Sequence, residues 1–307
     1  MYEIKTVGVF GHLGMVGRTA FTYFKEQNYE VYGYDPSSGD NDKNLAANTD
    51  VVFICVPTPY RWPKPDDDLS VDNKYGFDDS IVDSVLADIN TLSTKDYPVV
   101  VIKSTVKIGT TDKFQVKYPR LRVLFNPEFL SEATSKQDFS NPDRQFVGYT
   151  KESYEIVTKV LHILPESPYD LICPAKEAEL LKYINNIHGI LEVMESNLYY
   201  DVCQKEGLDY DRVCKAMVAS KWVGPVMGRH YRVIFHKGKR GIGGKCFPKD
   251  LNAWIEYCNE NKIDARLFEA ARDYNRSLLA VQGLTEQVSE HIGSEEDMDK
   301  FKSGMNV

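Results

Sequence analysis

The sequence predicts an α/β fold, in which an N-terminal doubly wound sheet of the Rossmann type is followed by a mainly α-helical central domain. Two observations carry this prediction. The first half of the chain alternates short apolar segments with helical segments, which is the pattern of βαβ units and a parallel sheet. From Glu177 the apolar residues recur with a period of about 3.6 as far as Gly207, which predicts one long helix. A length of 307 residues accommodates roughly two domains.

The individual elements can be placed along the chain from their apolar patterns. In the first half, helices are predicted at about residues 16–26 and 81–92, and strands in IKTVGVF, YEVYGYD, DVVFICVP, PVVVIKS and RVLFNP. After the long helix, shorter helices are predicted in DYDRVCKAMVAS, KDLNAWIEYCNEN and AARDYNRSLLAVQGLTEQVSEHI. The prolines of PESPYDLICP mark the expected domain boundary. We therefore expect a sheet domain at residues 1–172, a helical domain at 173–295 and a polar tail at 296–307.

Composition and charge restrict the class of partner. Hydrophobic residues make up 42% of the chain and charged residues 27%, which is ordinary for a soluble globular protein. The net charge of −8 and the pI near 5.4 argue against a general surface for nucleic acid or acidic membranes. The first residues, MYEIKTVGVF, show neither a signal peptide nor a membrane anchor, and the six cysteines lack the CxxC pairs of a zinc site. We expect a cytoplasmic protein that binds a small molecule, without nucleic acid, membrane or metal.

The segment VGVFGHLGMVGRTAF places Gly11, Gly14 and Gly17 between a predicted strand and a predicted helix. Glycines let the backbone approach a pyrophosphate, which the N–H groups and the dipole of the helix start then bind. Asp35 closes the next strand, where its carboxylate can accept from a ribose hydroxyl and would repel the 2′-phosphate of NADP. The spacing is GxxGxxG rather than GxGxxG, and glycines also occur in βα turns for geometry alone. The pattern therefore favours an NAD site over a merely structural turn.

A second glycine-rich segment, GIGGKCFPKD, surrounds one of the cysteines. Cys246 follows a glycine pair, lies between Lys245 and Lys249, and is soon followed by Asp250. Glycines leave a thiol unshielded and neighbouring ammonium groups favour its thiolate, so this loop is as consistent with a reactive cysteine as with a structural one. The other cysteines are interpreted as small buried hydrophobic residues, with Cys55 in an apolar strand and Cys203, Cys214 and Cys258 on helices.

Further segments, in order along the chain, give a more specific interpretation. They are DVVFICVPTP, KSTVKIGTT, NPEFLSEATSKQDFSNPDRQFVG, AELLKYINN and GKRGIGGKCFPKD. Together with the first glycine segment they resemble the UDP-glucose/GDP-mannose dehydrogenase family, especially its UDP-glucose branch. Members of that family oxidise the C6 hydroxyl of a nucleotide sugar to a carboxylate with two molecules of NAD, through a thioester on a cysteine. The resemblance therefore implies an NAD-dependent enzyme whose substrate is a nucleotide sugar similar to UDP-glucose.

The resemblance also implies catalytic roles for particular residues. Cys246 would be the nucleophile that traps an aldehyde as a thiohemiacetal and then carries the thioester. Glu128 would activate the water that hydrolyses this thioester, and Thr105 and Asp250 would hold the water in place.

Lys182 and Asn186 lie on one face of the predicted long helix because they are one turn apart. By resemblance they stabilise the negative charge that develops on oxygen. The implied cofactor site consists of Gly11, Gly14, Met15, Val16, Asp35, Val56, Pro57, Thr58, Ser104, Thr105 and Glu132. The implied substrate site consists of Glu128, Phe129, Leu130, Lys182, Asn186 and Gly243.

Spacing alone leaves simpler interpretations of these residues open. Lys182 would form a surface ion pair with Glu179, worth roughly a few tenths of a kcal/mol. Asn186 would be a solvated helix residue. Thr105 would terminate a strand, and Glu128 would be an ordinary acid at a helix start.

The chain also departs from the family pattern. Lys107 stands where the family usually has proline, and Leu198 where it usually has glutamate. Family members normally continue into a third domain that holds the nucleotide part of the substrate, whereas this sequence ends at Val307. We therefore expect a protein without that domain: a compact enzyme, an enzyme completed by a partner chain, or a catalytically degenerate NAD-binding protein. A dehydrogenase of simple hydroxy acids is disfavoured, because it needs no cysteine nucleophile.

The family forms dimers through its long central helix, so the resemblance implies a homodimer. The apolar stripe of residues 177–207 would form the interface. The alternative, that this stripe packs inside its own domain, stays open.

Overall fold

The computed structural model describes residues 3–38, 42–62, 76–130, 134–221, 232–236 and 238–286. The chain divides into two compact units, the first within residues 1–59 and 77–182 and the second within residues 60–76 and 183–307. The predicted boundary after residue 172 stays a prediction. The predicted polar tail lies outside the described residues.

Short strands alternate with helices through the first half of the chain. The strands are β1 (Thr6–Phe10), β2 (Glu30–Tyr34), β3 (Val51–Ile54), β4 (Tyr60–Arg61), β5 (Gly76–Phe77), β6 (Val99–Ile102), β7 (Arg122–Phe125), β8 (Gln145–Tyr149) and β9 (Asp170–Pro174). The helices of the first unit are α1 (Met15–Glu26), α2 (Lys43–Ala47), α3 (Ser80–Leu92), α4 (Thr110–Lys117), α5 (Ser135–Ser140) and α6 (Val157–Ile163), the last preceded by a 3₁₀ helix (Lys151–Ile156).

Seven strands form one sheet in the order β2-β1-β3-β6-β7-β8-β9, and β4 and β5 form a small separate sheet. The pairs from β2 to β7 are parallel, β8 is antiparallel to β7, and β9 is parallel to β8. The strands β2, β1, β3, β6 and β7 therefore end at the same edge of the sheet. The chain passes from β2 on one side of β1 to β3 on the other, which makes the ends of β1 and β3 a topological switch point, the usual position of a ligand crevice.

Helices cover both faces of this sheet, and each face has its own core. Phe10, Val52 and Ile54 pack on one face with apolar residues of α2, α3 and α4. Val9 and Phe53 pack on the other face with residues of α1, α5 and α6. Because the central strands are buried on both faces, they read in the sequence as continuous apolar runs rather than as alternating patterns.

The second unit is mainly helical in its described residues, which also include β4. The long helix α7 (Ala175–Glu206) carries the chain into it, and α8 (Tyr210–Val218), α9 (Phe247–Glu260) and α10 (Arg266–Ala280) follow. Its core joins α7, α9 and α10 through apolar residues that include Ile190, Met194, Leu251, Ile255 and Leu278. The predicted fold class, a Rossmann-type sheet followed by a mainly helical region, is thus confirmed. No helix within the described ranges is both long enough and apolar enough to cross a bilayer.

Candidate active site

The predicted cofactor residues of the first unit gather at the carboxyl edge of the parallel strands. Gly11 follows β1, Asp35 follows β2, Val56 follows β3, Thr105 follows β6 and Glu128 follows β7. These strands are neighbours in the order β2-β1-β3-β6-β7, so the segments that follow them lie side by side. Segments far apart in the sequence therefore meet on both sides of the switch point.

The turn between β1 and α1 needs glycine for two different reasons. Gly11 has a φ of 81°, which L side chains rarely adopt. A Cβ at Gly11 would lie 2.5 Å from the carbonyl oxygen of Cys55. A Cβ at Gly17 would overlap the carbonyl oxygen of Gly11, because α1 packs directly against the turn. At the glycines of this turn, backbone without side chains therefore lies at the ends of β1 and β3.

The start of α1 is open to a ligand. Gly14 at the N-cap makes no side-chain hydrogen bond to the first N–H groups of the helix, which include those of Met15 and Val16. Leu13 and Met15 beside it are exposed by 39% and 40%. An exposed helix start without a side-chain cap fits the pyrophosphate of NAD.

Asp35 stands next to this turn as an ionised carboxylate. It accepts from the N–H of Ser37 at 3.0 Å and from the Ser37 hydroxyl at 2.6 Å. Burial alone would raise the pKa of Asp35, but hydrogen bonds from Ser37 and Leu13 and the nearby His12 hold it below its usual value. A carboxylate at the end of β2 fits the ribose hydroxyls of NAD.

Ser104 joins the segments that follow β3 and β6. Its hydroxyl donates to the carbonyl oxygen of Val56 at 2.7 Å, and its side chain is buried. Thr58 is also buried, Pro57 is exposed, and Val56 and Thr105 are half-buried. The two segments are therefore fixed to each other directly before Thr105.

Glu128 lies in irregular backbone after β7, so its interpretation as a helix-start acid is wrong. Its Oε2 lies 3.1 Å from Nζ of Lys103, and its Oε1 accepts from the N–H of Phe129 at 2.8 Å. The Phe129 ring centre lies 5.7 Å from Nζ of Lys182. Leu130 packs against the core. The structure therefore brings Glu128, Phe129 and Lys182 together.

Glu179, one turn before Lys182 on α7, is fully buried. Its carboxylate accepts from the N–H of Gly109 at 2.5 Å and from the N–H and hydroxyl of Thr111 at 2.8 and 2.6 Å. Burial raises the pKa of Glu179 to about 7, although these three donors favour the charged form. The interpretation of Glu179 as the partner of Lys182 in a surface ion pair is therefore wrong. Glu179 instead joins α7 to the start of α4 through hydrogen bonds.

In the second unit Cys246 directly precedes α9, and its side chain is exposed. One turn later lies Asp250, a carboxylate only 1% exposed. Its Oδ1 accepts from Nζ of Lys249 at 2.5 Å, and its Oδ2 accepts from Nδ2 of Asn186 at 2.5 Å. Asn186 is buried, so the interpretation as a solvated residue is wrong. A buried carboxylate with both oxygens held thus stands one turn from an exposed thiol.

Two residues that the sequence interpretation missed hold the glycine turn before Cys246. Asn275 on α10 is buried, its Oδ1 accepts from the N–H of Ile242 at 2.8 Å, and its Nδ2 donates to the carbonyl of Ile242 at 3.4 Å. Arg240 donates from Nε to Oδ1 of Asn197 on α7 at 3.1 Å. Gly243, expected at the substrate site, is exposed. No local pattern in the sequence indicates these contacts, because Asn275 is 33 residues from Ile242 and Arg240 is 43 residues from Asn197.

Glu132, predicted at the cofactor site, lies outside the described residues. Cys55, predicted in an apolar strand, directly follows β3, where it is half-buried and packs against the core. Burial raises the pKa of its thiol to about 12. The cysteines interpreted as small hydrophobic helix residues are buried on α7, α8 and α9 (Cys203, Cys214 and Cys258). In the part of the chain that the structure describes, no group of three or more His, Cys, Asp or Glu side chains is arranged to hold a metal ion.

Comparison with known proteins gives two matches to one family. Residues 37–164 match the NAD-binding domain of the UDP-glucose/GDP-mannose dehydrogenase family, and residues 176–277 match its central domain. The UDP-glucose 6-dehydrogenase of Rickettsia bellii is 32% identical over 236 residues, which are 75% of this chain and 50% of that protein. The UDP-glucose 6-dehydrogenase AglM of Haloferax volcanii is 30% identical over 263 residues, which are 80% of this chain and 56% of that protein.

Among solved structures, a UDP-glucose dehydrogenase from the archaeon Pyrobaculum islandicum is 26% identical, with a TM-score of 0.71 over 91% of this chain and 71% of that chain. The chain spans about half the length of the curated relatives it matches. The first matched region contains Thr105 and Glu128, and the second contains Lys182, Asn186 and Cys246.

Proposed function

Because the chain belongs to the UDP-glucose/GDP-mannose dehydrogenase family, we propose that it oxidises the C6 hydroxyl of a nucleotide sugar similar to UDP-glucose to a carboxylate. The observation that carries this proposal lies in the second unit. There the exposed Cys246 thiol stands one turn before Asp250, whose buried carboxylate is held by Asn186 and Lys249. A protein that only bound NAD would have no physical need for this arrangement.

NAD, when bound, supplies the acceptor for two electrons in each oxidation. The open start of α1 holds its pyrophosphate through N–H groups that include those of Met15 and Val16, and Asp35 accepts from its ribose hydroxyls. The remaining cofactor contacts come from the segments after β3, β6 and β7, at Val56, Pro57, Thr58, Ser104, Thr105 and Glu132.

Cys246 lets the oxidation continue beyond the aldehyde. Loss of two electrons and two protons converts the C6 alcohol to an aldehyde. The Cys246 thiolate then adds to the aldehyde carbon, so that a C–S bond forms and the oxygen takes up a proton, giving a thiohemiacetal. Loss of two more electrons and two protons leaves a thioester. Water breaks its C–S bond, which releases the sugar carboxylate and restores the thiol.

The polar residues of the two units have separate tasks in this scheme. Glu128 accepts the proton of the attacking water, and Thr105 and Asp250 hold that water. General base catalysis of this kind typically raises the rate of a step by about 10²- to 10⁴-fold. Lys182 and Asn186 donate to the oxygen on which charge develops. The substrate also contacts Phe129, Leu130 and Gly243.

The assembly that we propose is a homodimer in the cytoplasm. Leu198 and Val202 on α7 and Val213 on α8 are about half exposed. Burying such a surface against a second copy removes apolar area from water. Size-exclusion chromatography with light scattering measures the mass; a monomer would contradict the dimer.

The second candidate function is that of an NAD-binding protein that is catalytically degenerate or is completed by a partner chain. It is supported by the first unit, where the close approach at Gly11, the open start of α1 and the Asp35 carboxylate fit NAD without any part played by Cys246. Such a protein binds NAD but forms no adduct on Cys246.

The test is a panel of UDP-, GDP- and TDP-sugars scored for NADH, with intact mass spectrometry of the protein. We expect NADH with a UDP-sugar, and loss of net turnover in Cys246→Ser. Cys258→Ala, which changes a buried cysteine on α9, the helix that Cys246 precedes, is the matched control and should retain turnover. NAD binding without NADH from any sugar of the panel would favour the second candidate.

A further inference from the structure

Lys103 is a charged residue buried at the carboxyl end of β6. Its side chain is 3% exposed, and its Nζ lies 3.1 Å from Oε2 of Glu128. The same Nζ donates to Oδ1 of Asn126 at 2.6 Å and lies 5.2 Å from the centre of the Phe139 ring. A buried ammonium is strongly unfavourable unless it is paired and hydrogen-bonded, so these contacts are what allow Lys103 to stay charged here.

Asn126 is itself fixed by the sheet. It is fully buried, and its Nδ2 donates to the carbonyl of Phe146 at 2.7 Å and to Oε1 of Gln145 at 3.3 Å, both on β8. Because its two amide hydrogens are used in this way, its Oδ1 faces the ammonium of Lys103. The sheet therefore sets the position of Nζ without any help from Glu128.

Glu128 has both carboxylate oxygens engaged, Oε2 by Lys103 and Oε1 by the N–H of Phe129. Its Oε2 is buried, although the side chain as a whole remains 14% exposed, so the two contacts hold the carboxylate in one orientation. We propose that Lys103 is a positioning residue, which holds the Glu128 carboxylate in the orientation that accepts the proton of the water that cleaves the Cys246 thioester.

This inference rests on the proposed function, in which Glu128 activates the hydrolytic water. In that step the water proton moves to Glu128, the hydroxyl oxygen bonds to the acyl carbon, and Cys246 leaves as thiolate. Glu128 takes no part in the first oxidation of this scheme, so a residue that orients its carboxylate acts on hydrolysis and not on the first oxidation.

In the part of the chain that the structure describes, three further elements bring charged or titratable groups to Glu128 or to the adjoining ring of Phe129. Cys55 follows β3, and because burial raises the pKa of its thiol to about 12 it is neutral near pH 7. Arg144 and Lys182 lie over the ring of Phe129, at 4.7 and 5.7 Å from its centre. Lys103, in contrast, meets the Glu128 carboxylate at ion-pair distance.

Two variants test the inference by single-turnover kinetics, which separates formation of the first NADH from hydrolysis of the thioester. Lys103→Met removes the charge and the donors, whereas Lys103→Gln keeps a donor without charge and carries the test if the methionine variant does not fold. In both variants the Glu128 carboxylate loses its ion pair at Oε2. We therefore expect slower hydrolysis with an unchanged first oxidation, because the carboxylate is no longer held toward the water.

The matched control is Lys95→Met, which removes the cation from the part-exposed ion pair with Asp50 and should leave the rate of thioester hydrolysis unchanged. In turnover assays near neutral pH, Lys103→Gln should slow thioester hydrolysis about tenfold or more. The first NADH should form at the wild-type rate, so that a Cys246 acyl adduct accumulates in intact mass spectra.

The outcomes separate the inference from the proposed function. In a wild-type protein that forms NADH, hydrolysis at the wild-type rate in both Lys103 variants overturns the inference. An equal loss in the first oxidation and in hydrolysis also overturns it, because it would mark a general structural role. A wild-type protein that forms no NADH with any nucleotide sugar overturns the proposed function, and with it the catalytic role of the ion pair.

Discussion

Glu179 on α7 accepts two hydrogen bonds from Thr111 on α4, one from its N–H and one from its hydroxyl. It also accepts from the N–H of Gly109, the N-cap residue of α4, which has no side chain of its own to cap the helix. A carboxylate from a distant helix therefore satisfies the first N–H groups of α4. The same contact fixes the turn of α7 that leads to Lys182.

The raised pKa of Glu179 predicts how stability depends on pH. Burial raises this pKa to about 7, above the value of about 4.3 for glutamate in an unfolded chain. Between these values the folded protein binds a proton that the unfolded chain does not. The contribution of Glu179 to stability is therefore complete below about pH 4. It is lost as the pH rises toward 7, which lowers the free energy of unfolding by on the order of 3 kcal/mol.

Urea unfolding of the wild type and of Glu179→Gln, from about pH 4 to pH 8, measures this contribution. The difference between their free energies of unfolding should become smaller as the pH rises. Glu177→Gln changes an exposed residue of the same helix and serves as the control, without this pH dependence. A difference that is constant or grows with pH would show that folding does not raise the pKa of Glu179.

Lys249 and Asp250 form a buried ion pair whose side chains are 10% and 1% exposed. Removal of one partner from such a pair leaves an uncompensated charge and costs about 3–5 kcal/mol. We expect Lys249→Met to lower the free energy of unfolding by about this amount. Lys249→Met combined with Asp250→Asn should be clearly less destabilised than the sum of the two single variants.

Chemical unfolding followed by circular dichroism gives the four free energies of this cycle. The control is Arg266→Met, which breaks an ion pair with Asp264 that is exposed on both sides. That change should alter stability by less than about 1 kcal/mol. Additive effects of the Lys249 and Asp250 substitutions would mean that the two side chains are not coupled.

The elements predicted correctly are those whose pattern is local. The long helix is predicted from Glu177 to Gly207 and is found at Ala175–Glu206, because the period of its apolar residues continues for eight turns or so. The strands β8 and β9 were not predicted. The segment around β9 is rich in proline, which usually marks a boundary, and β8 depends on an antiparallel pairing with β7 that no local pattern reveals.

The candidate site likewise contains residues that the sequence predicts and partners that it does not. Motif spacing and the family resemblance pointed to Glu128, Asn186 and Cys246, but they did not reveal the side chains that hold them. In the sequence, Lys103 is only the polar residue that follows the apolar run VVVI. Its ion pair with Glu128 exists because β6 and β7 are neighbours in the sheet. Such partners follow from the sheet order and from helix packing rather than from spacing.

Asn275 holds the backbone of Ile242 through an N–H and a carbonyl contact. Asn275→Ala leaves both buried backbone groups without these partners, at a cost of about 1–3 kcal/mol for an unsatisfied group. We expect the free energy of unfolding to fall by about 2 kcal/mol in urea. Asn259→Ala, at an exposed position of α9, should change it by less than about 0.5 kcal/mol, and equal effects would contradict the role of Asn275.

Gly11 and Gly207 have similar backbone angles but different surroundings. Their φ angles are 81° and 66°. A Cβ at Gly11 would lie 2.5 Å from the carbonyl oxygen of Cys55, whereas a Cβ at Gly207 would meet no atom within 4 Å. Alanine at Gly207 therefore costs only backbone strain, about 1 kcal/mol. Alanine at Gly11 must also push the turn away from Cys55, which displaces the start of α1.

We expect Gly11→Ala to weaken NAD binding about tenfold or more, equivalent to about 1.4 kcal/mol, because the N–H groups of α1 move relative to the pyrophosphate. Gly207→Ala should lower the melting temperature by a few degrees and leave NAD affinity unchanged. Isothermal titration calorimetry with NAD, together with thermal unfolding of both variants, measures the two effects separately. Equal NAD affinity in both variants would mean that the close approach of Gly11 to Cys55 does not shape the NAD site.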